Sequence, residues 1–192
     1  MATQAARALG LAAGSTVDAA TFARMVEAAE RQQARAVALR LLQRRWRSRR
    51  ELEVALRRRG LPGGAIASAV GELLRHGWID DERFARAWVQ DRLALRPCGR
   101  RRLRAELLAK GIAPGLVDAV VSALLPAGVE GDLALVGARA RLARLRGLSP
   151  QTARRRLVGW LQRRGFSAEV VARVLRTLEL ETPDQPDVDP AA

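Results

Sequence analysis

Three glycines close three closely similar segments, and this recurrence constrains the fold more than any other feature of the chain. Gly60, Gly111 and Gly165 end RRELEVALRRRG, RRRLRAELLAKG and RRRLVGWLQRRG, at periods of 51 and 54 residues. Eight residues before each glycine stands a leucine (Leu52, Leu103, Leu157), and four before stands another (Leu56, Leu107, Leu161). An apolar residue follows directly: Leu61, Ile112 and Phe166. Farther on, Ile66, Val117 and Val171, then Leu73, Leu124 and Leu178, keep the register without a gap. An Arg/Leu-rich composition can align one pair by chance, but hardly three copies in one register. A fixed period near 50 residues marks a stack of similar units.

Each copy reads as helix, glycine turn, helix, preceded by a third helix at about 33–45, 81–95 and 132–146. Apolar residues recur at spacings of three and four, and no alternating β-type segment interrupts them. Stops fall at Gly60–Pro62, Gly77, Pro97–Gly99, Gly111–Pro114, Pro126–Gly131, Gly147–Pro150 and Gly165. Asp80, Ser149 before Pro150, and Ser167 read as helix N-caps. One three-helix unit buries too little surface to be comfortably stable alone, so the units are expected to share apolar faces. The expected fold is all-α: three tandem three-helix repeats, about nine helices, forming an elongated, curved body. The expected divisions are a partly helical extension over 1–30, repeats over 31–79, 80–128 and 129–178, and an acidic disordered tail over 179–192.

The chain carries 34 basic and 20 acidic side chains, a formal charge of +14, with Lys110 the single lysine. A GC-rich codon habit favours arginine but does not force a positive balance. Residues 31–178 hold 32 basic and 12 acidic groups, whereas 179–192 hold five acids and no base. A field of that sign favours polyanions: nucleic acid, an acidic protein face or a nucleoprotein. No stretch has the length and apolarity of a membrane span, and the start lacks the basic-then-apolar pattern of a signal peptide. A soluble cytoplasmic monomer with no membrane partner is expected.

The arginines keep the glycine register too. Arg50, Arg101 and Arg155 stand ten residues before the glycines, about 160° around the helix from the leucines, and so point to solvent. Arg100 and Arg154 precede two of them, and Arg58, Arg102, Arg156 and Arg163 fall near the same outer side. A solvated helix face is the plain alternative. Against it, Arg154–Arg164 contains no acid at all, whereas an ordinary surface helix mixes signs. These nine arginines are the candidate filament- or nucleic-acid-binding residues. Few Asn or Gln accompany them, so contacts should go mostly to phosphate rather than base edges.

Nothing points to catalysis, a cofactor or a metal. His76 precedes Gly77 at a helix end, where a partly cationic ring suits the helix dipole. Cys98 is the only cysteine and reads as a turn residue. Asp80 and Asp81 are too few oxygen ligands for a cation site and read as capping residues. Lys110 follows no glycine-rich loop. Trp46, Trp88 and Trp160 are expected in the core; Trp78, after a helix break, is expected to be packed with its ring partly exposed.

Four segments in order carry a resemblance: LRLLQRRWRSRREL (39–52), GWIDDERFARAWVQDR (77–92), GRRRLRAELLAKGI (99–112) and RRRLVGWLQRRGFS (154–167). Together they span about residues 36–178 and resemble the RecX family, bacterial regulators of the RecA recombinase. Two departures stand out: the family mixes lysine with arginine, and Glu51 and Glu53 thin the basic face in the first repeat. The resemblance implies an all-α protein that binds RecA and the RecA–DNA nucleoprotein filament and limits ATPase and strand-exchange activity. Such an inhibitor would lie along a filament and touch several protomers. The alternative is a non-specific DNA-binding protein with helix-turn-helix-like repeats that competes for DNA.

Overall fold

The computed structural model describes residues 16–181. Among the described residues there are nine helices and no strand: α1 Ala19–Arg44, α2 Arg49–Arg57, α3 Gly63–Arg75, α4 Asp81–Leu95, α5 Arg100–Ala109, α6 Pro114–Leu124, α7 Ala127–Ala143, α8 Pro150–Arg163 and α9 Ala168–Glu181. The expected parts within 1–15 and 182–192 lie outside the described residues. The chain forms two compact units, one up to Phe84 together with Lys110–Ile112, the other of Ala85–Ala109 and the residues from Ala113 on.

The recurring leucines form the core. Leu52, Leu56, Leu103, Leu107, Leu157 and Leu161 are at most 1% exposed. In the first unit Leu52 and Leu56 of α2 pack with Ala34, Ala38 and Leu41 of α1 and with Ile66, Val70 and Leu73 of α3. In the second, Leu157 and Leu161 of α8 meet Ala134 and Ala138 of α7 and Phe166, Val170 and Val174. Alanine at the first-helix positions lets the helices approach closely, while leucine from the second fills the space between them. Leu124 is half-buried, and its neighbour Leu125 is the residue that the core takes in.

Gly60, Gly111 and Gly165 all have positive φ, at 74°, 79° and 84°. At Gly165 the Phe166 N–H returns to the Leu161 carbonyl at 3.2 Å and the Gly165 N–H to Gln162 at 2.9 Å. This left-handed helix stop satisfies terminal carbonyls and turns the chain so that Phe166 enters the core. Ser149 accepts from the Thr152 N–H with Pro150 at the first helical position, and Ser167 accepts from the Val170 N–H. Both starts follow the sequence reading.

Three boundaries differ from that reading. The first helix begins at Ala19 rather than near Gln33, because Asp18 caps it through the Thr21 N–H at 2.8 Å. Phe22 and Val26 on that early stretch are exposed, so no apolar stripe marks it in the sequence. Helix α7 starts directly after Pro126, not at Asp132, and takes Gly128 and Gly131 inside the helix. Helix α9 runs to Glu181, beyond residue 178, where the third repeat was expected to end.

Candidate nucleic-acid interface

In the first unit, α2 carries the basic face. Its N-cap is the fully buried Ser48, whose hydroxyl accepts from the Glu51 N–H and donates to the Lys110 carbonyl at 2.6 Å. The first α2 amide, Arg49 N–H, donates to Asp81 Oδ1 at 2.8 Å. Asp81 therefore caps a helix 32 residues upstream, while Asp80 accepts from the Arg83 N–H and caps its own. Both carboxylates are used in capping, which fits their sequence assignment. Arg50 is exposed, yet its aliphatic stem lies where a Cβ on Gly111 would fall.

Acids thin this face as expected. Glu53 pairs with Arg49 at 2.9 Å and Arg57 at 3.3 Å. Glu51 is held by Arg45 at 3.0 Å and Lys110 at 2.8 Å. Burial pushes the Glu51 carboxyl up, but hydrogen bonds from Lys110 and Arg45 outweigh it and hold the group below its ordinary value. Arg58 is exposed and has no ion pair among the described residues.

The second unit repeats the device. The Arg100 N–H donates to Glu130 Oε1 at 2.9 Å, and Glu130 is 4% exposed. The Gly99 N–H donates to the Arg164 carbonyl at 2.9 Å, and the Arg101 N–H to that of Gly165 at 3.2 Å. The start of α5 thus receives the glycine turn after α8 as the start of α2 receives the turn at Gly111. Arg100 is half-buried, reaching Ser122 at 2.6 Å. Arg102 lies over Gly165 and pairs with Glu106 at 2.9 Å. Glu106 also accepts from Trp88 at 3.0 Å and Arg92 at 2.7 Å. Burial raises the Glu106 carboxyl, yet the bonds from Arg102, Trp88 and Arg92 bring it below its ordinary value.

The nine candidates therefore sort by what they touch. Arg100, Arg102 and Arg154 have partners, the last with Glu179 at 3.5 Å. Arg50, Arg58, Arg101, Arg155, Arg156 and Arg163 are exposed with no ion pair or side-chain hydrogen bond among the described residues. On α8, Arg155, Arg156 and Arg163 form a charged strip opposite Leu157 and Leu161.

Two tryptophans depart from expectation. Trp46 is 51% exposed, with the Arg83 guanidinium 4.5 Å over its ring, and Trp78 is 62% exposed after the Gly77 turn. Helical spacing placed Trp46 with the leucines, but it follows the end of α1, where that periodicity no longer applies. Trp88 and Trp160 are half-buried. Cys98 is buried, and burial first, then Glu106, pushes its thiol up, away from the reactive thiolate. Sequence reasoning missed Ser48, Glu106 and Glu130 as organisers of the arginine helices; a buried acid in an Arg-rich chain is the signal that Glu130 offers only once burial is known. No group of three or more His, Cys, Asp or Glu among the described residues could hold a metal ion, and no single helix there is long and apolar enough to cross a membrane.

Family models for the first, second and third three-helix domains of RecX match residues 34–73, 80–121 and 132–175. The chain is 43% identical over 148 residues to "Regulatory protein RecX" of Thermobifida fusca, covering 77% of this chain and 79% of that one. It is 40% identical over 154 residues to the Streptomyces coelicolor protein of the same name, covering 80% and 81%. The fold matches the crystal structure of RecX from Lactobacillus salivarius with a TM-score of 0.72 at 20% identity, over 80% of this chain and 99% of that one. Three matched domains in order, each ending its second helix at a registered glycine, place this chain in the RecX family.

Proposed function

We propose that this chain is a regulator of the RecA recombinase: it binds RecA on DNA, restrains ATP turnover and strand exchange, and acts by binding rather than by catalysis. A regulator of this kind works in the cytoplasm, beside the chromosome. The observation that carries this reading is the set of arginines without acidic partners on the second helix of every repeat, in a chain whose relatives are named regulatory protein RecX. Guanidinium groups kept free of carboxylates suit the phosphates of DNA or an acidic protein face.

The test is the DNA-stimulated ATPase of RecA with the purified chain added well below the RecA concentration. Slowing at that ratio is expected, because a ligand of an assembled filament acts on many protomers, whereas a competitor for DNA must approach the concentration of sites. Inhibition only at such high concentrations, relieved by added DNA, would support simple DNA competition. The near absence of Asn and Gln among the aligned arginines makes either mode insensitive to base sequence.

A further inference from the structure

Four arginines outside the candidate set line one cavity of about 390 Å³ in the second unit: Arg96 after α4, Arg141 and Arg144 at the end of α7, and Arg164 after α8. Its remaining walls are Pro97, Gly137, Ala140 and Trp160, and no carboxylate contributes. None of the four arginines forms an ion pair among the described residues. All four stand at helix C-termini, whose partial negative ends favour cations. Those ends carry about half a charge each, so four full guanidinium charges are not cancelled.

Two observations favour an anion at this cavity. Arg141 Nε is buried and has no hydrogen-bond partner, a cost that native interiors rarely leave unmet. Arg164 spends one nitrogen on the Pro97 carbonyl at 3.2 Å and lies 5.0 Å from the Trp160 ring centre, which fixes it at the cavity wall. Burial first, then Arg96 and Arg102, destabilise its charged form, so an added anion relieves repulsion already present. Gly137 makes the floor: a Cβ there would stand 3.1 Å from Trp160 Cη2 and 3.3 Å from Pro97 Cβ.

We propose that this cavity is a phosphate-binding site and that its occupant is a backbone phosphodiester of single-stranded DNA. The planar fork of arginine matches phosphate oxygens, and the four guanidinium groups lining the cavity meet no carboxylate there. The site stands apart from the outer strip on α8 and from the RecA reading, since the assay contains no RecA and loss of one leaves the other standing. Inorganic pyrophosphate shares the chemistry and separates a free phosphate from a backbone one.

The full-length chain is compared with Arg96→Gln/Arg144→Gln, two exposed positions, in titrations with labelled oligothymidylate and with pyrophosphate followed by tryptophan emission. The double variant is expected to keep its melting temperature and bind the strand several-fold more weakly. Its slope of log affinity against log salt should be shallower by about 0.7 for each phosphate released. Pyrophosphate should change the emission of the parent chain but not of Trp160→Phe or the double variant. An unchanged strand affinity and salt slope overturns the phosphodiester assignment, and an unchanged pyrophosphate response as well overturns the site. If the double variant melts early, Arg144→Gln alone decides the same comparison.

Discussion

Gly60, Gly111 and Gly165 share one backbone conformation, but a methyl group at each would meet something different. At Gly60 there is open space, at Gly111 the flexible Arg50 side chain, and at Gly165 the backbone nitrogen and Cα of Arg102. Alanine at Gly60 should therefore cost only the left-handed strain, about 1–2 kcal/mol. Gly111→Ala should cost more, because Arg50 must move, and Gly165→Ala the most, because the start of α5 must move with it. Denaturant midpoints at constant m-value check the order. The sequence register shows that all three must end a helix; the different surroundings of Gly111 and Gly165 depend on contacts 61 and 63 residues apart and leave no local trace. Charge at the residue scale makes a separate prediction. Glu51 and Glu106 are held below the ordinary glutamate value of about 4.3. Their stabilisation is thus complete above that value and is lost as pH falls through their lower folded values. Melting temperature should drop as pH falls below about 4.3, and Glu106→Gln should start lower at neutral pH and show a flatter acid limb.

At the element scale, α2 and α5 do not supply all their own N-terminal partners. Arg49 N–H is satisfied by Asp81 and Arg100 N–H by Glu130, each an acid from the first turn of the following repeat's first helix. The third such helix, α8, begins one turn earlier in register and is capped by its own Ser149. Glu130→Ala leaves a donor at the α5 start without its acceptor and should destabilise by about 1–3 kcal/mol. Ser149→Ala should lose about 0.5–2 kcal/mol. Thermal melts of both, with Glu130→Gln partly restoring the first, test the assignment. Helix identity was legible from leucine spacing and the glycine stops because those signals are local. The reach of Asp81 was not: in sequence it is one of two adjacent capping acids, and only folding brings the α2 amide to it.

For the whole molecule, the excess charge had two sequence readings, a solvated surface and a binding face, and the geometry divides the arginines between these and a third role. Arg50 and Arg102 lie over glycines, and Arg102 also holds Glu106, so both serve packing whatever else they touch. The side chains of Arg101, Arg155 and Arg156 have no ion-pair or hydrogen-bond partner among the described residues and stand clear of the leucine core. Replacing these three with alanine should move stability by less than about 0.5 kcal/mol per site, as surface changes usually do. If each meets one phosphate, the salt slope of duplex DNA binding should become shallower by about 0.9 per lost contact. The same variant separates the two modes of regulation. A regulator held partly by contacts to RecA keeps inhibiting the ATPase after its affinity for free DNA has collapsed. A DNA competitor loses both in parallel, because the polyanion is all that it binds. Should the triple variant melt like the parent yet bind DNA with an unchanged slope, these arginines are a solvated face and the phosphate contacts lie elsewhere on the chain.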